Sequence, residues 1–169
     1  KREITEDTGI SDISEFVVDL SSVPDPEPLP VRKYPAVVKT AQIYMSKAGK
    51  PTIKFEYYIS TDVYPIEYDA ENAPDGTTLR SWVGVNAGCA PQQSQPTKIG
   101  QANYRRVFDA HGARLSNATF RPREDLDMHW ALSDDQINEL VGTQVLVNVV
   151  HEPFEGRDMP NIRGVTPQE

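Results

Sequence analysis

Lys54, Tyr58, Arg80 and Trp82 carry the clearest chemical signal in this 169-residue sequence. If the two segments that hold them are neighbouring strands, all four share an outward face. A cation beside an aromatic ring suits a single-stranded nucleic acid, because the ring stacks on a base while the cation meets a phosphate. Each stacked base contributes about 1–3 kcal/mol by alanine substitution. Further cations stand at Lys47 and Lys50, in Ser46-Lys-Ala-Gly-Lys50, and at Arg105 and Arg106. The competing reading packs Tyr58 and Trp82 beneath a helical insertion or a partner chain.

Catalytic and metal chemistry find less support. The sequence holds neither a Gly-x-x-x-x-Gly-Lys-Ser/Thr phosphate loop nor a Gly-x-Gly-x-x-Gly turn. The single cysteine, Cys89, lacks a local protease signature and excludes a zinc-thiolate cluster or an internal disulfide. His111, His129 and His151 form no i, i+4 pair. Asp125, Asp127 and His129 would share a face on a strand and could seed a metal site, but a solvated polar face explains them better. The expectation is a non-enzymatic protein with no metal and no cofactor.

Strands must position the outward face. Ile53, Phe55, Tyr57 and Ile59 alternate with Thr52, Lys54, Glu56 and Tyr58, the period of a half-buried strand over Pro51 to Thr61. Tyr34 to Met45 forms its hairpin partner, with Gly49 placed for a positive φ at the tip. A third strand covers Thr78 to Val85, with Leu79, Ser81, Val83 and Val85 on one face and Arg80, Trp82 and Gly84 on the other. A polar loop, 86–97, leads to a helix over roughly 98–111 capped by Thr97 and ended by Gly112. Tyr104, Val107, Phe108 and His111 form its core face, so Arg105 and Arg106 point away. Residues 113–132 read as irregular or short strand. Ser133 caps a short helix from Asp134 to Val141, and Ser133-Asp-Asp-Gln136 has the capping-box spacing. Thr143 to His151 and Met159 to Val165 make a last hairpin around Phe154-Glu-Gly-Arg157, with Pro160 marking an edge strand.

Ahead of the strands lies an arm, residues 1–32, followed by a domain over 33–169. Ile13, Phe16, Val17 and Leu20 have helical spacing from near Ser11, which predicts an amphipathic anchor. Val23-Pro-Asp-Pro-Glu-Pro-Leu-Pro30 reads as a stiff, extended linker. The arm holds three basic and eight acidic residues, whereas residues 98–123 hold six basic residues against Asp109 alone. A net charge of -8 and a pI near 4.9 argue against indiscriminate nucleic-acid binding, yet the basic segments can build one cationic face. No apolar run reaches the roughly 18 residues of a membrane span. Opening on Lys1 rather than Met, the chain reads as a trimmed product.

Five strands with a helix before the fourth is the order of an OB-type barrel. Tyr34-Pro-Ala-Val-Val-Lys-Thr40, Ser46-Lys-Ala-Gly-Lys-Pro-Thr-Ile-Lys-Phe-Glu56, Leu132-Ser-Asp-Asp-Gln136, Leu140-Val-Gly-Thr143 and Val147-Asn-Val-Val-His-Glu152 resemble phage and prophage OB-fold single-stranded-DNA-binding proteins over roughly residues 33–165. The resemblance implies a mainly β, five-stranded OB-like antiparallel barrel with a helical insertion and an N-terminal arm. It implies single-stranded-DNA binding in phage replication or recombination, in the host-cell cytoplasm. Lys47, Lys50, Lys54, Arg80, Arg105 and Arg106 would capture the backbone, and Tyr58 and Trp82 would stack bases. The arm would shield that face, join copies into a homo-oligomer or recruit a phage protein. The alternative is a virion or assembly protein on an OB-like scaffold. The chain departs from the family in its acidic start and its negative net charge.

Overall fold

The computed structural model describes residues 16–85 and 96–168. Within them the protein is mainly β. A five-stranded antiparallel sheet has the order β3-β2-β1-β6-β7, built from β1 (Arg32–Met45), β2 (Pro51–Ile59), β3 (Thr77–Gly84), β6 (Gln144–Phe154) and β7 (Arg157–Pro167). Between β3 and β6 come helix α1 (Lys98–Ala110), the small hairpin β4 (Phe120–Arg123) and β5 (Met128–Leu132), and the short helix α2 (Asp134–Asn138). Residues 113–132, expected to be irregular or short strand, thus contain a two-stranded sheet. No described helix is long and apolar enough to cross a membrane.

Strand periodicity translates directly into burial. Ile53, Phe55, Tyr57 and Ile59 are all buried. On β1 the buried set runs Tyr34, Ala36, Val38 and then Ala41, Ile43. This change of phase follows from a bulge between Val38 and Thr40, where Lys39 is the extra residue. Tyr104, Val107 and Phe108 of α1 and His111 at its C-terminal cap are buried as their helical spacing predicts, and Thr97 caps the other end by accepting from Gly100 N at 3.0 Å.

The expected closed barrel is not formed by hydrogen bonds among the described residues. Pairs of residues from β3 and β7 lie within 8 Å, but each strand is laddered only to its inner neighbour. A second bulge, between Asn148 and Val149, leaves Arg163 of β7 without a register partner. The sheet is curled with an open seam, and α1 packs beside it.

Two local expectations need correction. The α2 helix ends at Asn138 rather than near Val141, and its capping box is half made. Ser133 Oγ accepts from Gln136 N at 3.4 Å, but the Gln136 side chain leaves the helix. Its Oε1 accepts from Thr119 N at 2.6 Å and its Nε2 donates to Asn117 O at 2.8 Å, so it holds the chain before β4. The arm differs too. Residues 16–20 form no helix, and Phe16, Val17 and Leu20 are exposed; Ile13 lies outside the described residues.

The linker, by contrast, is a docked strap. Leu29 is fully buried, Asn72 Oδ1 accepts from Glu27 N at 2.9 Å, and Tyr68 Oη donates to Glu27 O at 2.8 Å. His151 Nε2 donates to Leu29 O at 2.7 Å, and Tyr34 Oη donates to Pro30 O at 2.6 Å. Burial pushes the Tyr34 hydroxyl up to about 12, so it keeps its proton. Prolines suit this strap because their missing N–H groups ask for no partner.

Candidate nucleic-acid interface

The two expected strands do pair, and their register fixes which side chains meet. Lys54 stands opposite Trp82, Glu56 opposite Arg80, and Tyr58 opposite Thr78. Lys54, Trp82 and Arg80 therefore share the outer face, as their alternation requires. Trp82 is 56% exposed and is not core. Among the described residues α1 borders Trp82 without covering it.

Tyr58 does not form a free stacking platform. Its Oη donates to Asp75 O at 3.0 Å, and its ring lies under the turn at Gly76. A Cβ at Gly76 would collide with Tyr58 Oη, and the glycine's φ of +89° suits no other residue well. The turn and the ring fit together only because position 76 has no side chain. Arg80 is not a free cation. Its Nε donates to Glu56 Oε2 at 3.0 Å, and Glu56 Oε1 accepts from Thr40 Oγ1 at 3.0 Å. The Thr40 hydroxyl, aided by Arg80 and Lys54, holds the Glu56 carboxyl below the usual carboxylate range. The outer face is thus partly neutralised at its centre.

The open seam is where cations and aromatic surface converge. A cleft of about 630 Å³ lies between β3, α1 and β7. Trp82, Arg106 and Arg163 line it, with Ser81 and Asn103 as polar neighbours and no carboxylate among its described lining residues. Arg106 Nη2 donates to Asn103 Oδ1, one turn back on α1, which steadies its reach. Arg163 escaped the sequence reading, because an isolated arginine in a last strand looks like solvated surface. Its signal is the bulge, which re-aims a side chain in an edge strand and which only the register reveals.

The cleft floor is held by a buried pair. His111 Nδ1 lies 2.8 Å from Val107 O, which can only accept, so Nδ1 carries the hydrogen. In the neutral ring Nε2 then accepts from Tyr57 Oη at 2.8 Å. The Phe55 and His111 rings stack with centroids 4.5 Å apart. Burial drives the His111 pKa down and the Tyr57 pKa up, so both groups stay neutral. Fully buried, Tyr57 offers no nucleophile to the cleft; the pair ties the end of α1 to β2.

The remaining expected residues divide. Lys47 and Lys50 are exposed on the β1–β2 tip, beyond the β3 end marked by Gly84, since Thr52 pairs with Gly84 and Val85 N donates to Pro51 O at 3.0 Å. Arg105, next to Arg106 in sequence, faces a different groove that also contains Lys98. Cys89 lies outside the described residues. Among the described residues no group of three or more His, Cys, Asp or Glu side chains could hold a metal ion. The trio Asp125, Asp127 and His129 does not share a strand face. Asp125 lies in the 3-10 turn Glu124–Leu126, where Arg123 Nε donates to its Oδ1 at 3.1 Å, and Asp127 takes a left-handed φ of 53°.

No protein-family model matches the chain, and no curated protein matches it significantly.

Proposed function

We propose that this is a single-stranded-DNA-binding protein that captures its ligand in the seam cleft, without catalysis, on a partly open OB-type barrel. The observation that carries this reading is the convergence of Trp82, Arg106 and Arg163 on one cleft whose described lining has no carboxylate. The ring supplies a stacking surface that tolerates any base, and the guanidiniums supply phosphate contacts. Lys54 flanks the ring, and Lys47 and Lys50 extend the cationic path past the Gly84 end. Strand order β3-β2-β1-β6-β7 with a helix before β6 supports the OB scaffold and the likeness to phage single-strand binders. A role in phage replication or recombination in the host cytoplasm follows from that likeness.

Anisotropy of a dye-labelled oligothymidylate across a salt series tests the reading. Binding should weaken steeply with salt, because each neutralised phosphate on a single strand contributes about 0.7 to the logarithmic slope. Trp82→Ala should weaken binding by about 1–3 kcal/mol while the melting temperature stays put, since the ring is exposed. Failure of the wild-type protein to bind at low salt overturns the proposal.

A second reading, an assembly or interaction protein, is favoured by the arm. Phe16, Val17, Val18, Leu20 and Val23 are all more than half exposed, and such a run favours a protein surface over water. Light scattering on the full chain separates it from the first, because an assembly device raises the oligomeric state without any DNA.

A further inference from the structure

Arg105 and Arg106 are consecutive on α1, so their side chains leave the helix about 100° apart. Arg106 enters the seam cleft. Arg105 enters a second groove of about 480 Å³ on another side of the same helix, toward the chain that leads into β4. Lys98 lines that groove two turns earlier, about 10 Å along the axis. Gln101, Ser116 and Asn117 add uncharged hydrogen-bonding groups, and again no carboxylate is among the described lining residues. Lys98 and Arg105 are both exposed, and neither makes an ion pair among the described residues. In a chain of net charge -8, two neighbouring grooves each collect two cations and no acid among their described lining residues.

We infer that the second groove is an extension of the binding site, in which a single strand leaving the seam cleft wraps α1 and places later phosphates against Lys98 and Arg105. The inference rests on the proposed single-strand binding and adds its path. The helix is about 10 Å across, a span that an extended strand covers in a few nucleotides. Phe120 is half-buried in the groove in a T-shaped contact with Tyr104, at a centroid distance of 5.3 Å. The groove therefore has a fixed apolar base and cationic walls, which suits passage of a backbone rather than stacking of a free base. The consequence is a site with two parts, where short ligands use only the seam and long ligands use both.

The test measures salt-dependent affinity for a short oligothymidylate of about 6 nucleotides and a long one of about 16. It compares the wild type, Lys98→Gln/Arg105→Gln and Arg106→Gln, with circular dichroism melting to confirm that each variant is folded. The double variant should bind the short ligand normally. It should bind the long one several-fold more weakly, with a salt slope lower by about 1.4, from two contacts of about 0.7 each. Arg106→Gln should weaken both lengths. If the double variant leaves the long ligand unaffected while Arg106→Gln still weakens binding, the wrapped path is wrong and the seam site stands. An equal loss on both lengths also overturns it, because Lys98 and Arg105 would then act through the field of the whole surface. If the wild type binds neither length, the single-strand reading and its extension fall together.

Discussion

Glu56 limits the outer face more than any missing cation does. It neutralises Arg80 directly and stands between Lys54 and Tyr58 on β2, the strand beside the one that carries Trp82. Glu56→Gln removes the negative charge and keeps the shape. Released from its partner, Arg80 should then meet phosphate: binding tightens at low salt, and the slope steepens by about 0.7. An unchanged slope would show that the strand does not cross this face. His111 makes a prediction about stability. Its folded pKa lies below the ordinary 6.5, so the unfolded chain binds the proton more readily. The stability it contributes is complete above about pH 6.5 and is lost as the pH falls below that value toward its folded pKa. Melting temperatures between about pH 7.5 and 5.5 should fall with pH in the wild type, and less steeply in His111→Gln.

At the scale of elements, the β1–β2 hairpin and the strap make separable contributions. The hairpin tip is held by Ser46 N donating to Lys50 O at 2.8 Å and by Gly49 at a φ of +76°, so its two lysines can change without loss of the turn. Lys47→Gln with Lys50→Gln should lower the salt slope by about 1.4 if each lysine meets a phosphate, and leave the melting curve alone. The strap behaves differently. Leu29 is core, and backbone groups of Glu27 and Leu29 are bonded to Tyr68, Asn72 and His151. A cut at residue 32 should therefore lower the melting temperature, since the docked contacts reach back to Asp25, where Arg157 lies 3.5 Å from its carboxylate.

For the molecule as a whole, charge is the governing quantity. Residues 1–24 hold two basic and six acidic groups, so their removal raises the net charge while sparing the strap. If this segment competes with DNA for the cationic seam, the truncated chain should bind more tightly at low salt. The gain should fade as the Debye length shrinks to about 8 Å near physiological salt. If the segment joins copies instead, the same truncation lowers the oligomeric state and leaves affinity alone. A titration and light scattering on one preparation distinguish the two results.

Much of this protein was legible in its sequence because local physics decided it. Alternation of Ile53, Phe55, Tyr57 and Ile59 committed β2 to a half-buried strand. Thr97 and Gly112 bounded a helix whose apolar face could only point inward, and Gly49 and Gly156 punctuated the two hairpins. The exposure of Trp82 followed from its parity on β3. Other features depended on which distant segments came together. Tyr58 was lost as a platform because the turn at Gly76 folded over it, and Arg80 was lost as a free cation because register set Glu56 beside it. The split between Arg105 and Arg106 depended on what packed around α1. Arg163 joined the site because a bulge turned one residue of an edge strand toward a seam between β3 and β7, strands about 80 positions apart in the chain. Periodicity and capping are set by neighbours in sequence, so one sequence suffices to read them; a cleft is set by pairing across the sheet, which only the tertiary structure decides.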